Sequence, residues 1–190
     1  EGRSPRHVPR TASGVRVSGR TRLFVIFGDP VEHSLSPVMQ NAALQAAGID
    51  GLYVPWRVRA PGLSTALNSL RWMENFGGAN VTLPHKEQAA SLVDELSPEA
   101  ASVGAVNTIV SRDGRLLGAN TDGQGFLRSL QEEGDFVPRG RRAAILGAGG
   151  AARAVAWSLA EAGIAELLIL NRTSERAELL ADLVSRRMGV

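Results

Sequence analysis

The chain has 190 residues, which is enough for one large domain or two small ones. It contains no cysteine, so disulfides, cysteine-containing zinc sites and cysteine nucleophiles are excluded, and a reducing cytoplasm suits the composition. No apolar run approaches the length of a membrane span, and the net charge of +2 hides a mildly acidic body, because six arginines are concentrated in residues 1–22.

Residues 1–21 are rich in Arg, Ser, Gly and Pro and lack a periodic apolar pattern, which predicts a disordered basic tail. A basic arm can contact nucleic acid, but this one has no aromatic residue on which a base could stack. We therefore interpret it as a leader or an expression remnant and expect no nucleic-acid partner.

Beyond the tail, apolar runs and helical periodicities alternate along the chain. The predicted strands are 23–27, 52–58, 79–83, 105–110, 116–119, 143–146 and 166–170, and the predicted helices are 37–47, 61–72, 86–96, 98–102, 125–133, 151–162 and 174–187. This order predicts an α/β fold with a mostly parallel sheet, and the turn at 112–115 predicts a hairpin. We place a substrate domain at 22–124 and a cofactor domain at 125–190.

Two hydroxyl groups, Ser34 and Ser36, stand at the start of the helix that Pro37 introduces. Hydroxyl groups beside a helix N-terminus favour a carboxylate or phosphate site. Simple capping of the helix by Ser36 is the alternative, and it leaves Ser34 without a role.

Thr82 and Lys86 follow a predicted strand, in the run Asn80-Val81-Thr82-Leu83-Pro84-His85-Lys86. A lysine at the carboxyl end of a strand is a candidate acid or base when it faces a crevice. The alternative is a solvated lysine at a helix start.

Asn107 and Asp122 are the other polar candidates in the first domain. Asn107 lies in an otherwise apolar run, where an unpartnered amide costs roughly 1–3 kcal/mol, so a ligand hydroxyl is one candidate partner. Asp122 could orient or charge-pair a lysine, or cap the helix that follows. The three histidines show no metal-ligand spacing, so no metal site is predicted.

A dinucleotide fingerprint, Gly147-x-Gly149-x-x-Ala152, follows the predicted buried strand at 143–146 and opens a helix. Gly147 permits a tight turn, Gly149 lets a pyrophosphate approach the backbone, and Ala152 lets the helix pack close to the sheet. The helix N-terminus then offers N–H groups to phosphates. A glycine-rich strand-to-helix turn without a ligand is the alternative.

The end of the next strand indicates which dinucleotide binds. NAD-binding proteins usually carry Asp or Glu about 20 residues after the fingerprint. This chain has Asn171-Arg172-Thr173 there, with Arg176 one turn later, so guanidinium groups are available for the 2′-phosphate of NADP. Solvated arginines at a helix start are the alternative.

Several of these stretches together resemble the shikimate dehydrogenase family, from about residue 23 to the end of the chain. The matching stretches are Gly28-Asp29-Pro30, His33-Ser34-Leu35-Ser36-Pro37 with Asn41, Asn80-Val81-Thr82-x-Pro84-x-Lys86, Gly104-Ala105-Val106-Asn107-Thr108, Gly118-x-Asn120-Thr121-Asp122-Gly123, Gly147-Ala148-Gly149-Gly150-Ala151 and Asn171-Arg172-Thr173. The resemblance implies a small-molecule enzyme of aromatic amino-acid (chorismate) biosynthesis, an oxidoreductase that reduces 3-dehydroshikimate to shikimate with NADPH in the cytoplasm.

The resemblance also implies roles for single residues. Ser34 and Ser36 would bind the substrate carboxylate, and Thr82, Asn107 and Asp122 its hydroxyl groups. Lys86 would bind substrate and act as the acid/base, with Asp122 as its catalytic partner. The residues that would bind NADP are Gly147, Ala148, Gly149, Gly150, Ala151, Asn171, Arg172, Thr173 and Arg176.

Members of the family run longer than this chain. The resemblance therefore implies an α/β substrate domain followed by the first part of a Rossmann-type NADP-binding domain, C-terminally truncated, and we expect the 190 residues alone to be inactive.

Two alternative functions remain open. A quinate/shikimate dehydrogenase that uses NAD is an alternative that Arg172 disfavours. A non-catalytic ligand sensor is another, disfavoured by the presence of Lys86 and Asp122. A homodimer is compatible with the sequence but not indicated by it.

Overall fold

The computed structural model describes residues 17–188, so positions 1–16 of the predicted tail lie outside the described residues. The tail was predicted to extend to residue 21, but Thr21 is buried and its hydroxyl donates to Asp50 Oδ1 at 2.7 Å. The ordered body therefore begins slightly earlier than the sequence predicts.

Within the described residues the chain forms eight strands and seven helices. The strands are β1 (Arg22–Gly28), β2 (Gly51–Arg57), β3 (Phe76–Val81), β4 (Glu95–Leu96), β5 (Thr108–Arg112), β6 (Arg115–Ala119), β7 (Arg142–Leu146) and β8 (Glu166–Leu170). The helices are α1 (Ser36–Ala46), α2 (Leu63–Leu70), α3 (Lys86–Ala90), α4 (Pro98–Val103), α5 (Asp122–Gly134), α6 (Gly150–Glu161) and α7 (Ser174–Met188). None of the helices in this part of the chain combines the length and apolar character of a membrane-spanning segment.

The first six strands form one sheet in the order β2-β1-β3-β5-β6-β4. The β1–β2, β1–β3 and β4–β6 pairs are parallel, whereas β5 runs antiparallel to both β3 and β6. The predicted hairpin is present as β5 and β6, with Arg112 opposite Arg115. Helix α2 covers one face, because Leu63, Leu67 and Leu70 recur at helical spacing and are fully buried against the strands.

The second sheet contains β7 and β8 in parallel register. Helices α6 and α7 pack on it through Ala156, Leu180 and Val184. The strand predicted at 143–146 is present as β7, but the prediction that it is buried is wrong, since Leu146 is 83% exposed. Among the described residues β7 pairs only with β8 and has helices on one face, so alternate side chains face outward.

Several predicted elements have different bounds in the structure, and two of the differences bear on the site. The helix predicted at 86–96 ends at Ala90 as α3, because the chain leaves it to pair with β6: the Asp94 N–H donates to the Leu116 carbonyl at 2.9 Å. The strand predicted from 105 begins at Thr108, so Asn107 precedes β5 instead of lying within a strand. The predicted domain boundary after residue 124 falls inside α5, which links the two sheets.

Candidate active site

Four polar residues lie at one edge of the first sheet because of its topology. The carboxyl end of β3 leads to Thr82 and Lys86, and the carboxyl end of β6 leads to Asp122. Since β5 is antiparallel to both strands, its amino end lies at the same edge and brings Asn107 there. Residues that are far apart in sequence therefore converge on one crevice.

Lys86 and Asp122 form the centre of this cluster. The Lys86 Nζ donates to Asp122 Oδ2 at 2.5 Å, and the two side chains are only 12% and 24% exposed. Asp122 is the first residue of α5, where the positive end of the helix dipole favours a carboxylate. The pair holds an amine and a carboxylate together in a poorly solvated place, which suits proton transfer.

Asn107 links this pair to its surroundings. Its Nδ2 donates to Asp122 Oδ1 at 2.7 Å and to Thr121 Oγ1 at 3.0 Å. Its Oδ1 accepts from the Thr121 N–H at 3.1 Å and from Thr108 Oγ1 at 2.9 Å. The amide that the sequence marked as needing partners thus finds several within the protein, and these bonds fix the orientation of the Asp122 carboxylate.

A hydrogen-bonded chain continues from Asn107 toward helix α1. The Asn107 carbonyl accepts from Asn80 Nδ2 at 3.2 Å, and Asn80 Oδ1 accepts from the Tyr53 hydroxyl at 2.8 Å. Burial raises the pKa of Tyr53 to about 12, although a hydrogen bond with the Ser36 side chain opposes that shift. Tyr53 therefore stays a neutral phenol near neutral pH and connects Ser36 to the polar cluster.

The two serines lie at the start of α1, half-buried. The Ser36 N–H donates to Ser34 Oγ at 3.2 Å, Ser36 is itself the first helical residue, and the capping position is Leu35. The alternative in which Ser36 caps the helix is therefore wrong. Asn41 holds α1 on β2, because its Nδ2 donates to the Tyr53 carbonyl and its Oδ1 accepts from the Tyr53 N–H, both at 2.8 Å.

Thr82 follows β3 directly and lies at the same sheet edge. Its N–H donates to the Phe27 carbonyl at 2.8 Å. Its methyl group lies so close to Gly28 that a β-carbon there would be 2.6 Å away. These contacts fix the position of Thr82 beside the end of β1.

The glycine-rich turn lies at the carboxyl end of β7. Gly147 has φ of +122°, which an L side chain rarely adopts, and its N–H donates to the Leu170 carbonyl at the end of β8. Gly149 caps α6 with an extended backbone, and a β-carbon there would meet nothing within 4 Å. The backbone at Gly149 is therefore open to a ligand, and a glycine turn before a helix N-terminus fits a dinucleotide pyrophosphate. Ala148 is buried below the turn and Ala151 is exposed.

The segment after β8 lies beside this turn because β7 and β8 are parallel neighbours. Asn171 Nδ2 donates to the Thr173 carbonyl at 2.8 Å, which closes the loop, and Arg172 and Thr173 are exposed. Arg176 instead reaches the first domain, where it donates to Glu87 Oε1 at 2.6 Å. The structure thus brings Arg172 and Thr173 to the glycine-rich turn and pairs Arg176 with the neighbour of Lys86.

Tyr53 and Asn80 belong to the site but were not singled out from the sequence as site residues. Asn80 stands in the same motif as Thr82, and an amide in an otherwise apolar strand could have marked it. No local pattern marks Tyr53, because β1 separates its strand from that of Asn80 and only the sheet order brings the two side chains together.

Known proteins carry the same organisation. Residues 26–109 match the family described as "Shikimate dehydrogenase substrate binding domain", and residues 132–188 match "Shikimate / quinate 5-dehydrogenase". The chain belongs to the shikimate dehydrogenase family. The first match contains Lys86 and Asn107, and the second contains the glycine-rich turn and Arg172, so the two halves of the family follow each other in the expected order.

Individual members of the shikimate dehydrogenase family are similar to this chain in sequence and in structure. The shikimate dehydrogenase (NADP(+)) of Geobacter metallireducens is 51% identical over 87% of this chain and 58% of its own length. A crystal structure of a shikimate dehydrogenase with NADP+ superimposes with a TM-score of 0.83 at 39% identity, over 91% of this chain and 59% of that one. The Thermus thermophilus enzyme with NADP(H) and shikimate gives 0.78 at 44% identity, over 87% and 61%.

The chain spans 56–60% of the length of the curated relatives that it matches. The family, and the α/β fold with a Rossmann-like second half, rest on the matches to both family descriptions and to the solved structures.

Proposed function

We propose that this protein takes part in the NADPH-dependent, reversible reduction of 3-dehydroshikimate to shikimate. The observation that carries the proposal is the Lys86–Asp122 pair, oriented by Asn107 and enclosed at the edge of the first sheet. Its relatives named shikimate dehydrogenase (NADP(+)), and structures of family members with shikimate and NADP(H), support the substrate and the cofactor.

The cofactor, when bound, supplies the hydride that reduces the ketone carbon. Lys86 then gives the proton from its ammonium group to the alkoxide oxygen, so the product is an alcohol and the amine is reprotonated from solvent. Asp122 holds the same oxygen and balances the charge on Lys86. Ser34 and Ser36 bind the substrate carboxylate, and Thr82 and Asn107 bind its ring hydroxyl groups, which fix the ketone beside Lys86.

The residues of the second half fit NADP. Gly147, Ala148, Gly149, Gly150 and Ala151 form the turn and the first helical residues that would approach the pyrophosphate. Asn171, Arg172, Thr173 and Arg176 would receive the adenosine end, and Arg172 carries the preference for NADP over NAD because its guanidinium matches a phosphate. We also propose a cytoplasmic location, as in the biosynthetic enzymes that the family comprises, and leave the homodimer as a prediction.

The cofactor part of the proposal is tested by binding, which does not depend on turnover. Titration of the 190-residue chain with NADPH and NADH, followed by cofactor fluorescence, should give tighter binding of NADPH. Arg172→Ala should weaken NADPH roughly ten- to a hundredfold and leave NADH nearly unchanged, because a charge-assisted hydrogen bond contributes about 1.5–3 kcal/mol. Arg128→Ala, which removes an exposed arginine of α5, is the matched control. Equal losses for both cofactors would refute selective recognition.

The 190 residues alone are expected to be inactive, so the chemical part is tested in a chain extended to the length of its relatives, by the absorbance of NADPH during incubation with shikimate and NADP+. Lys86→Met should lower turnover by about 10²–10⁴-fold, the usual contribution of a general acid or base. Shikimate binding should change little, since the proton is needed mainly in the transition state. A Lys86→Met chain that retains wild-type turnover would exclude the proposed role of the amine.

A further inference from the structure

Helix α6 makes a contact with Lys86 that the proposed reaction does not use. Gly150, the first residue of α6, is buried, and a β-carbon at that position would lie 2.8 Å from Lys86 Cβ and 3.3 Å from Lys86 Cδ. Real β-carbons essentially never approach that closely. The aliphatic stem of Lys86 therefore lies directly on the first turn of the helix, at a place where only glycine leaves room for it.

Arg153, one turn further along α6, attaches the same helix to the first domain. Its Nε donates to the Val103 carbonyl at 2.8 Å. Val103 is the last residue of α4, where the negative end of the helix dipole favours a cation. The guanidinium also lies against Gly104, where a β-carbon would be 3.0 Å from one terminal nitrogen. Arg153 thus donates to Val103 and packs over Gly104, at the corner where the chain leaves α4.

This corner leads directly into the site. Two residues after Gly104, the Val106 N–H donates to the Lys86 carbonyl at 2.8 Å, and Asn107 comes next. The main chain that Arg153 holds therefore supports the backbone of Lys86 and the amide that orients Asp122. Arg153 acts on both members of the pair without touching either.

The other end of α6 approaches Asp122 in a similar way. Gly123 follows Asp122 in α5, and a β-carbon there would lie 2.0 Å from Ser158 Oγ and 2.8 Å from the Ala154 carbonyl. Helices α5 and α6 are therefore in close contact directly behind Asp122. One helix contacts the stem of Lys86 near its first residue and the neighbour of Asp122 two turns later.

We infer that Gly150 and Arg153 are positioning residues for the Lys86–Asp122 pair, through which helix α6 sets the place of the amine. The inference rests on the proposed function, because α6 is also the helix whose first turn would hold the cofactor pyrophosphate. The helix that would bind the cofactor and the amine that would deliver the proton then share one close contact. The distance between the two reacting partners is set by this contact, not by the network of polar side chains alone.

The lysine content of the chain allows the surroundings of the Lys86 side chain to be followed by NMR. Lys86 is the only lysine in the 190 residues, and every other basic side chain apart from histidine is arginine. Labelling with ¹³C,¹⁵N-lysine therefore gives one side-chain spin system, which reports on Lys86 whether or not the chain turns over substrate. The wild-type spectrum should show a nuclear Overhauser contact between the Lys86 Hβ protons and the Gly150 Hα protons.

Gly150→Ala is the first test. The added methyl should displace Lys86 and shift its Cβ and Cδ resonances in the 190-residue chain. In a chain extended to the length of its relatives it should also lower kcat by about 10²-fold, the loss expected for a misplacement near 1 Å. The Kd for shikimate should change far less than kcat. Gly125→Ala is the matched control, since this glycine lies in α5 and its added β-carbon would meet nothing within 4 Å. Its lysine spectrum and kcat should stay at wild type.

Arg153 gives a second test that does not add bulk beside Lys86. Arg153→Leu should shift the Lys86 resonances, whereas Arg153→Gln, whose amide can still donate to the Val103 carbonyl, should restore them toward wild type. Lysine resonances that stay unchanged in both Gly150→Ala and Arg153→Leu would overturn the inference. So would equal shifts in Gly150→Ala and Gly125→Ala, or a failure of Arg153→Gln to recover what Arg153→Leu loses.

Failure of the proposed function is distinguishable from failure of this inference. A wild-type chain that binds neither NADPH nor shikimate removes the proposed function, while the Overhauser contact and the variant shifts still test the packing of Lys86. A chain that binds both, but whose Lys86 spectrum ignores Gly150→Ala and Arg153→Leu, retains the proposed function and loses the inference.

Discussion

The ion pair between Lys86 and Asp122 should be strongly coupled energetically, and a double-mutant cycle measures that coupling. Asp122→Asn keeps the shape of the side chain. Asp122 Oδ2 accepts from Lys86 Nζ at 2.5 Å. In the variant, depending on the orientation of the amide, the Lys86 ammonium faces either a neutral oxygen or an NH₂ group that is itself a donor. Lys86→Met removes the charge and keeps the aliphatic stem that packs on α6. The double variant has neither charge.

The expected magnitude follows from burial. A hydrogen bond to a charged group contributes about 1.5–3 kcal/mol, and breaking a buried pair by removing one partner costs about 3–5 kcal/mol. Lys86 is 12% exposed and Asp122 24% exposed, so water replaces part of the lost interaction and the lower range applies. We expect a coupling energy of about 1.5–3 kcal/mol. Asp122→Asn should be the more damaging single change, because an Asp122 left without Lys86 keeps the hydrogen bond from Asn107 and the helix dipole of α5, whereas Lys86 is the more buried of the two charges.

Urea unfolding at pH 7, followed by tryptophan fluorescence, gives the free energy of unfolding of the four proteins in the cycle. The control is the Arg128–Glu132 pair on α5, which has a similar length of 2.7 Å but side chains that are 78% and 59% exposed. An exposed pair of this spacing contributes about 0.3–0.5 kcal/mol. A coupling energy for Lys86 and Asp122 within about 0.5 kcal/mol of the control would refute the reasoning from burial.

Two further predictions use other charged contacts. Glu87→Gln should lower the Kd for NADPH by up to about fivefold and leave that for NADH unchanged, because it releases Arg176 from an exposed pair for the 2′-phosphate; parallel fluorescence titrations with unchanged NADPH affinity would contradict this. A hydrogen bond from Arg71, with one from the Leu116 N–H, holds the pKa of Asp94 below its ordinary 3.8. Between the pKa of Asp94 in the folded chain and its ordinary 3.8, the unfolded chain binds a proton that the folded chain does not. The contribution of Asp94 to the free energy of unfolding is therefore fully present above pH 3.8 and is lost as pH falls through the folded pKa. The difference in urea midpoint between wild type and Asp94→Asn should thus shrink on acidification, and a constant difference would contradict it.

The parts of the fold that the sequence predicts correctly are those with local causes. The strand at 166–170 and the helix from 174 carry their own periodicity, and Asp113-Gly114 imposes the hairpin between β5 and β6. Gly147 marks the strand-to-helix turn because its φ of +122° favours glycine, and Gly149 follows it as the capping residue of α6. Each of these signals lies within a few residues of the feature that it specifies.

The elements that the sequence mispredicts depend on distant partners. The helical pattern after Lys86 continues past Ala90, but the main chain at Asp94 bonds to Leu116, and this tertiary pairing ends the helix early. The run 143–146 is entirely apolar, which is typical of a buried strand. The exposure of Leu146 depends instead on which strands and helices flank β7. The same holds for Tyr53, whose hydroxyl joins the site only through the order of the sheet.

The two halves of the chain differ in how firmly they are packed, and this bears on the site. The first sheet has a continuous core in which residues such as Phe27, Leu67 and Ile109 are fully buried. The second sheet leaves Leu146 83% and Leu168 53% exposed. Because α6 packs on that second sheet and also on the stem of Lys86 and the neighbour of Asp122, the packing of β7 and β8 bears on where the Lys86 side chain lies. The placement of the Lys86 amine therefore depends on both halves, although Asp122, which accepts from its Nζ in the described part of the chain, belongs to the first.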